Sequence, residues 1–338
     1  MRNIAISAAL LALAACSGGA SPSLPQNSSR PQSPALPQTP SQILRDVRIS
    51  KLTSPATPKD GIYVAQFDAS SLFGYAGTNR RNAPPICGET SGYFVADVAT
   101  DAKGDLVAPN QQNETINVYR GPHLCGPAAA QLHDPYGLPV DAATANALTK
   151  KIAIANIEDD GPISDPPPGS ITICTAAGGC TENLTNPQMN RLAGVALDKR
   201  GDCWASATNA SSVATLIYFA RCTGNGKVTT GFQNAGYGGL EFDKSGNLLA
   251  LDYNGTQLFV YSGCRPVCTL VGGPFALHGQ SIYGKLDKAG TTFAAGDYQT
   301  GQVDVYKYAS TALTYEYSFN QDLSRGSSVE GIAFSPGR

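Results

Sequence analysis

An all-β chain folded as a six-bladed propeller is what this sequence predicts, on three observations. A strand–turn–strand unit recurs along the chain. Its anchors Asp101, Asp141, Asp198, Asp243, Asp287 and Ser335 stand 40, 57, 45, 44 and 48 residues apart, the period of a four-stranded blade. The two chain ends carry complementary pieces of one further unit. Composition agrees, since 36 Gly and 23 Pro with only 15% charged residues suit a loop-rich β protein and exclude a coiled coil or a wholly disordered chain.

The elements follow in order. Residues 62–65 and 72–75 match the second and third strands of a unit but lack a first strand before them. Each full unit then opens with an apolar strand that ends in Asp and a Gly-containing turn, as at Asp101 to Asp105, Asp198 to Asp202 and Asp243 to Asn247. In such a turn Asp caps the backbone and Gly takes positive φ. Second strands run to Ala108, Ala155, Ala205, Ala250 and Ala294. Third strands end at Tyr119, Cys174, Phe219, Tyr261 and Tyr306. Residues 331–335 are a first strand with nothing after it. Pairing this C-terminal strand with the N-terminal strands completes one blade, closes the ring and removes its edges.

Residues 1–60 carry a different message. Arg2 precedes an apolar run, 4–15, of signal-peptide length and too short to span a bilayer. The run ends in Leu13, Ala14, Ala15 and Cys16, which resembles the bacterial lipobox. That resemblance implies a signal peptide over 1–15 and lipidation of Cys16. It also implies export with anchoring to the cell envelope, at the outer membrane because Ser17 is not the Asp of inner-membrane retention. Pro22, Pro25, Pro31, Pro34, Pro37 and Pro40 fall in a polar stretch that cannot bury enough surface to order itself. Residues 16–54 are therefore expected to be a tether and 55–338 the propeller. Elsewhere no run of eighteen apolar residues exists, so no helix is long and apolar enough to cross a membrane.

Nine cysteines less Cys16 leave eight. Proximity pairs Cys174–Cys180, Cys203–Cys222 and Cys264–Cys268, and elimination pairs Cys87–Cys125. A zinc site lacks both Cys-x-x-Cys spacing and suitably placed His, so disulfides in an oxidising compartment are expected. With 24 Lys and Arg against 26 Asp and Glu, no basic stripe is visible, and no nucleic-acid partner is expected.

From about residue 55 onward the repeat resembles the superfamily of NHL-repeat propellers, surface-layer-like propellers and gluconolactonase/regucalcin-like hydrolases. In a propeller the loops that enter the first strand and join the second to the third share one face. His133, Asp134, Tyr136, Arg191, Tyr237, Asp252, His278, Asp297 and Glu330 fall there and form the expected binding face. In the gluconolactonase-like hydrolases a Glu placed like Glu330 ligates a divalent cation with an Asn and an Asp from other blades. Here the corresponding positions hold Tyr136, Ala193 and Gly238, so the Asn is missing. An acidic loop, Glu158 to Asp165, is a further place for Ca²⁺ or another divalent cation. No Gly-x-Ser-x-Gly elbow accompanies His133 and Asp134, and no cofactor is required. The expectation is a membrane-anchored, non-catalytic binding module for an envelope protein or glycan. The alternative is a metal-dependent lactonase-like hydrolase.

Overall fold

A computed structural model describes residues 61–90, 94–120, 128–144, 150–159, 168–233, 238–252, 254–323 and 328–335. All of these belong to the unit Pro55–Arg338; the expected signal peptide, Cys16 and the whole tether lie outside them. The strands are β1 (Gly61–Gln66), β2 (Ser71–Ala76) and β3 (Cys87–Thr90); β4 (Ala99–Thr100), β5 (Leu106–Asn110), β6 (Thr115–Tyr119) and β7 (Ala130–His133); and β8 (Gly137–Thr144), β9 (Lys151–Asp159), β10 (Ser170–Thr175) and β11 (Gly179–Leu184). They continue as β12 (Arg191–Leu197), β13 (Cys203–Thr208), β14 (Ala214–Phe219) and β15 (Lys227–Val228), then β16 (Leu240–Phe242), β17 (Leu248–Leu251), β18 (Gln257–Gly263) and β19 (Cys268–Ala276). The last are β20 (Gly284–Leu286), β21 (Thr292–Asp297), β22 (Gln302–Ala309), β23 (Ala312–Phe319) and β24 (Val329–Phe334).

These strands form six four-stranded antiparallel sheets. Five use consecutive strands. The sixth has the order β24-β1-β2-β3, with Ile62 opposite Phe334 and Val64 opposite Ile332. The chain ends therefore close the ring in one blade, as the complementary fragments require.

Burial follows from this stacking. Second strands are covered on both faces by neighbouring blades, so β1 and β13 are buried along their whole length. Such strands read as continuous apolar runs rather than alternating ones. The turns are built as expected: Asp101 Oδ1 accepts the amides of Lys103 (2.8 Å) and Asp105 (2.9 Å). Asp198 repeats this with Arg200 and Asp202, and Gly104 and Gly201 supply φ of 87° and 78°.

One anchor differs from its sequence assignment. Asp141 is not a turn residue but sits inside β8, opposite Ala155, just as Val195 sits opposite Ala205. Its equivalent turn position falls near Thr144, which brings the 40- and 57-residue steps to 43 and 54. Disulfides join Cys174–Cys180, Cys203–Cys222 and Cys264–Cys268. Cys125 and the side chain of Cys87 lie outside the described residues, and so does that expected pair.

Candidate functional site

All six innermost strands (β4, β8, β12, β16, β20 and β24) start at the loop face and run toward the face of the Asp turns, so position along a strand gives depth along the axis. Near the loop face comes an apolar layer. Ala96, Val140, Leu192 and Tyr283, from four blades, belong to one buried cluster, and Phe67 and Ile282 pack onto it.

One step deeper the layer is ionic. Lys285 on β20 places Nζ 2.9 Å from Asp97 Oδ2 and 3.6 Å from Asp141 Oδ1. These carboxylates come from the second and third blades of the ring, so the lysine reaches across the axis. Each carboxylate also ties down another blade: Asp141 Oδ2 accepts the amide of Val195 (2.7 Å) and Asp97 Oδ1 that of Ile332 (3.4 Å). Burial alone would lower the Lys285 pKa, but Asp141, Asp97 and Glu241 outweigh it and push it above its usual range. Burial raises Asp141 well above an ordinary carboxylate, with nearby Asp97 adding to the rise. Glu241 is also raised, chiefly by burial, although its side chain touches the lumen beyond.

On the turn side of the ionic layer the axis holds a cavity of about 180 Å³. All six blades contribute to its wall, with Thr100, Thr144, Glu241 and Lys285 as its polar side chains.

The expected loop-face residues divide into two groups. Asp134, Asp252 and Asp297 are buried and hold their own turns. Asp134 Oδ1 accepts from Thr172 Oγ1 (2.8 Å) and the Tyr136 amide (3.0 Å). Asp252 Oδ1 accepts from the Thr256 and Gln257 amides, and Asp297 Oδ1 from those of Gln299 and Gln280. His133 is exposed at the end of the outermost strand β7, and Tyr136 and Arg191 are half-buried. His278 is drawn toward the rim of its blade, where it stacks on Tyr315 of β23 at 4.2 Å and lies 3.5 Å from Asp304. Tyr237, Asp160 and Asp165 lie outside the described residues, as do the side chains of Glu158 and Asp159.

Glu330 sits at the head of β24. Its pKa is pushed up to about 8, first by burial and then by Asp68, with a smaller push from Asp97. Asp68 itself accepts a hydrogen bond from Ser328 Oγ (2.9 Å). Among the described residues no three His, Cys, Asp or Glu side chains come together to hold a metal. At the positions that match Glu330 the other blades hold Tyr136, Ala193 and Gly238, so the Asn of that ligand set has no counterpart there.

Sequence reasoning missed Lys285, Asp97 and Glu241. The available signal was a charged residue at Lys285 where the matching strands carry Val195 and Leu240. A second missed cluster lies on the turn face. Arg265 stacks over Trp204 (4.8 Å) and Tyr218 (5.6 Å), pairs with Asp198, and reaches Asp202 at 3.1 Å.

No protein-family model matches the chain, and no curated protein matches it by sequence. Among solved structures it is similar to a chain of the nidogen/laminin complex, with TM-score 0.60 and 14% identity over 82% of this chain and 99% of that one. It is also similar to a protein of unknown function from Bacteroides caccae (TM-score 0.58, 11% identity, 82% and 98% coverage). A protein from Lactobacillus plantarum is a third (TM-score 0.53, 12% identity, 81% and 99% coverage). Identities this low establish the fold alone. With the six closed sheets, they define this chain as a six-bladed β-propeller protein.

Proposed function

We propose that the chain is an exported, lipid-anchored envelope protein whose propeller is a non-catalytic binding module, presenting its loop face to a protein or glycan. One observation carries this reading. The buried loop-face carboxylates Asp134, Asp252 and Asp297 hold their own turns, while His133 is exposed and Tyr136 and Arg191 are half-buried beside them. That combination describes a rigid, preorganised recognition face, and preorganisation favours binding. The anchor rests on Leu13 to Cys16 and the Pro-rich stretch after them, and the three disulfides suit an oxidising compartment. One structurally similar chain belongs to a complex between two proteins, a use that this reading extends to the present chain.

The test has two arms. Radiolabelled palmitate should enter the wild-type chain in a Gram-negative host and be absent from Cys16→Ala; equal labelling would reject the anchor. A photo-crosslinking residue at Tyr136 should trap a defined partner in intact envelopes, and Arg191→Ala should weaken that crosslink. The same crosslinks from Ser310, in the turn that joins β22 to β23 on the opposite face, would reject the assigned surface. Calorimetry with Ca²⁺, Mg²⁺ and Zn²⁺ covers the hydrolase alternative, which requires one-site binding that Glu330→Ala abolishes.

A further inference from the structure

The near-neutral charge balance hides a segregation that folding creates. Sixteen Lys and Arg residues are described, and Arg191 alone of them opens a strand on the loop face. Lys285 is on the axis, and twelve others lie on the turn half of the disc with seven Asp and Glu. Arg80 and Arg81 lie on the connection from β2 to β3, where Arg80 pairs with Glu316 and Asn82 accepts the amides of Asn320 and Gln321. The loop half holds eleven described Asp and Glu, among them Asp68, Glu114, Asp252, Asp297 and Glu330. Five of the six blades contribute an exposed base beside their turns: Lys103, Lys150, Arg200, Lys244 and Lys288 in ring order.

Two further observations bear on what this face meets. A cleft of about 280 Å³ opens on it between the fourth and fifth blades, with Lys199, Arg200, Lys244 and Arg265 in its wall. Asp198 and Asp243 also line it, but Asp198 is paired with Arg265 and both carboxylates hold turn amides. The second observation is connectivity. β1 begins at Gly61 on the turn face, where the Gly61 carbonyl accepts the amide of Ser335 (2.8 Å). The residues that lead back to Cys16 therefore join the propeller on its basic side.

We propose that the turn face docks onto a phosphate-bearing, anionic lipid surface and so holds the disc with its loop face directed away from the membrane. This rests on the lipid-anchored reading above for its location, but the charge pattern is independent of it. Exposed bases spread over one flat face act together on an anionic surface, and the attraction fades within a Debye length and with added salt. A tether that enters at the same face raises the local concentration of that surface. These two facts favour a membrane over a nucleic acid, which a basic face alone would also attract.

The experiment uses the full chain with Cys16→Ser, and co-sedimentation with vesicles of phosphatidylcholine alone or with 30% phosphatidylglycerol. Two triple variants each lower the net charge by three: K103Q/R200Q/K244Q on the turn face and Q112E/S211E/Q299E on the loop face. The unmodified surface should bind anionic vesicles at least tenfold more tightly than neutral ones, with most of the difference lost at 0.5 M salt. The turn-face triple should lose about tenfold or more and the loop-face triple less than twofold. Amine-reactive footprinting should show Lys103, Lys150 and Lys244 protected only on anionic vesicles, in variants whose thermal unfolding matches the parent.

Equal losses from the two triples, or identical footprints on both vesicle types, would overturn the proposal. So would a DNA duplex that binds the same lysines more tightly than the vesicles do. Failure of palmitate to label Cys16 would reject the anchoring reading separately, and vesicle-dependent lysine protection would still support the face.

Discussion

Replacing Lys285 with Met tests the ionic layer on the axis. The substitution keeps the length of the side chain and removes the ammonium that lies 2.9 Å from Asp97 and 3.6 Å from Asp141. Both aspartates are fully buried, so neither can turn to solvent. At an effective dielectric of about 20 these two separations correspond to roughly 5 kcal/mol of gross attraction each. The net loss is smaller, because a stranded carboxylate takes up a proton instead. Against an ordinary Asp pKa near 3.9, protonating one carboxylate costs about 4 kcal/mol at pH 7 and about 1.5 kcal/mol at pH 5. Asp97 and Asp141 are near enough to share that proton, so one protonation sets the scale. Lys285→Met is thus expected to lose about 4 kcal/mol at pH 7, some 8 °C in Tm, and under half of that free energy at pH 5. The assay is denaturant unfolding followed by the fluorescence of Trp204, the only tryptophan and a buried one. Adding Asp97→Asn and Asp141→Asn should restore at least half of the loss, since neutral polar groups no longer need a counter-charge. A loss under about 1 kcal/mol at pH 7, or an equal loss at both pH values, would refute the account.

The other predictions concern separate parts of the disc. Glu330 is raised to about 8, so folding favours its protonated form. Wild-type stability should fall as pH climbs from about 4.3 to 8. Glu330→Gln should flatten that slope and be more stable by about 2 kcal/mol at pH 8, a figure reduced because the side chain is partly exposed; unfolding curves across pH 4–8 decide this. Arg265→Ala uncovers Trp204 and leaves Asp198 and Asp202 without their cation. It should cost about 1–2 kcal/mol and change Trp204 emission, and an unchanged spectrum would contradict the stacking. Cys203–Cys222 closes a 19-residue separation and Cys264–Cys268 one of 4. Removing the first pair should therefore cost about 1 kcal/mol more than removing the second, as calorimetric Tm values would show.

Much of the architecture was legible in the chain because blade formation is local. Each blade is a run of consecutive strands joined by short turns, and Asp101, Asp198, Asp243 and Asp287 mark those turns by a side chain that bonds amides a few residues on. The closing strand was legible for a related reason: an unpaired edge has to be filled, and residues 331–335 complement the truncated N-terminal unit. Three disulfides followed from short separations alone.

What lies between blades was not legible. Asp141 looked like one more turn residue, and only its register against Ala155 shows that it faces Lys285 across the axis, 144 positions further on. The loop face looked richest in chemistry because its polar residues are varied. The fold uses Asp134, Asp252 and Asp297 to hold turns and carries His278 toward the rim. Net charge concealed the basic face in the same way, since a sum over the chain discards position. Alternating strands send the bases beside each Asp turn to one side of the disc and half of the described carboxylates to the other. Local spacing, turn chemistry and the apolar strand runs were determined by the sequence itself. Which charges meet, and on which face they gather, was decided by closure of the ring, because that step alone brings distant residues to a common axis and a common surface.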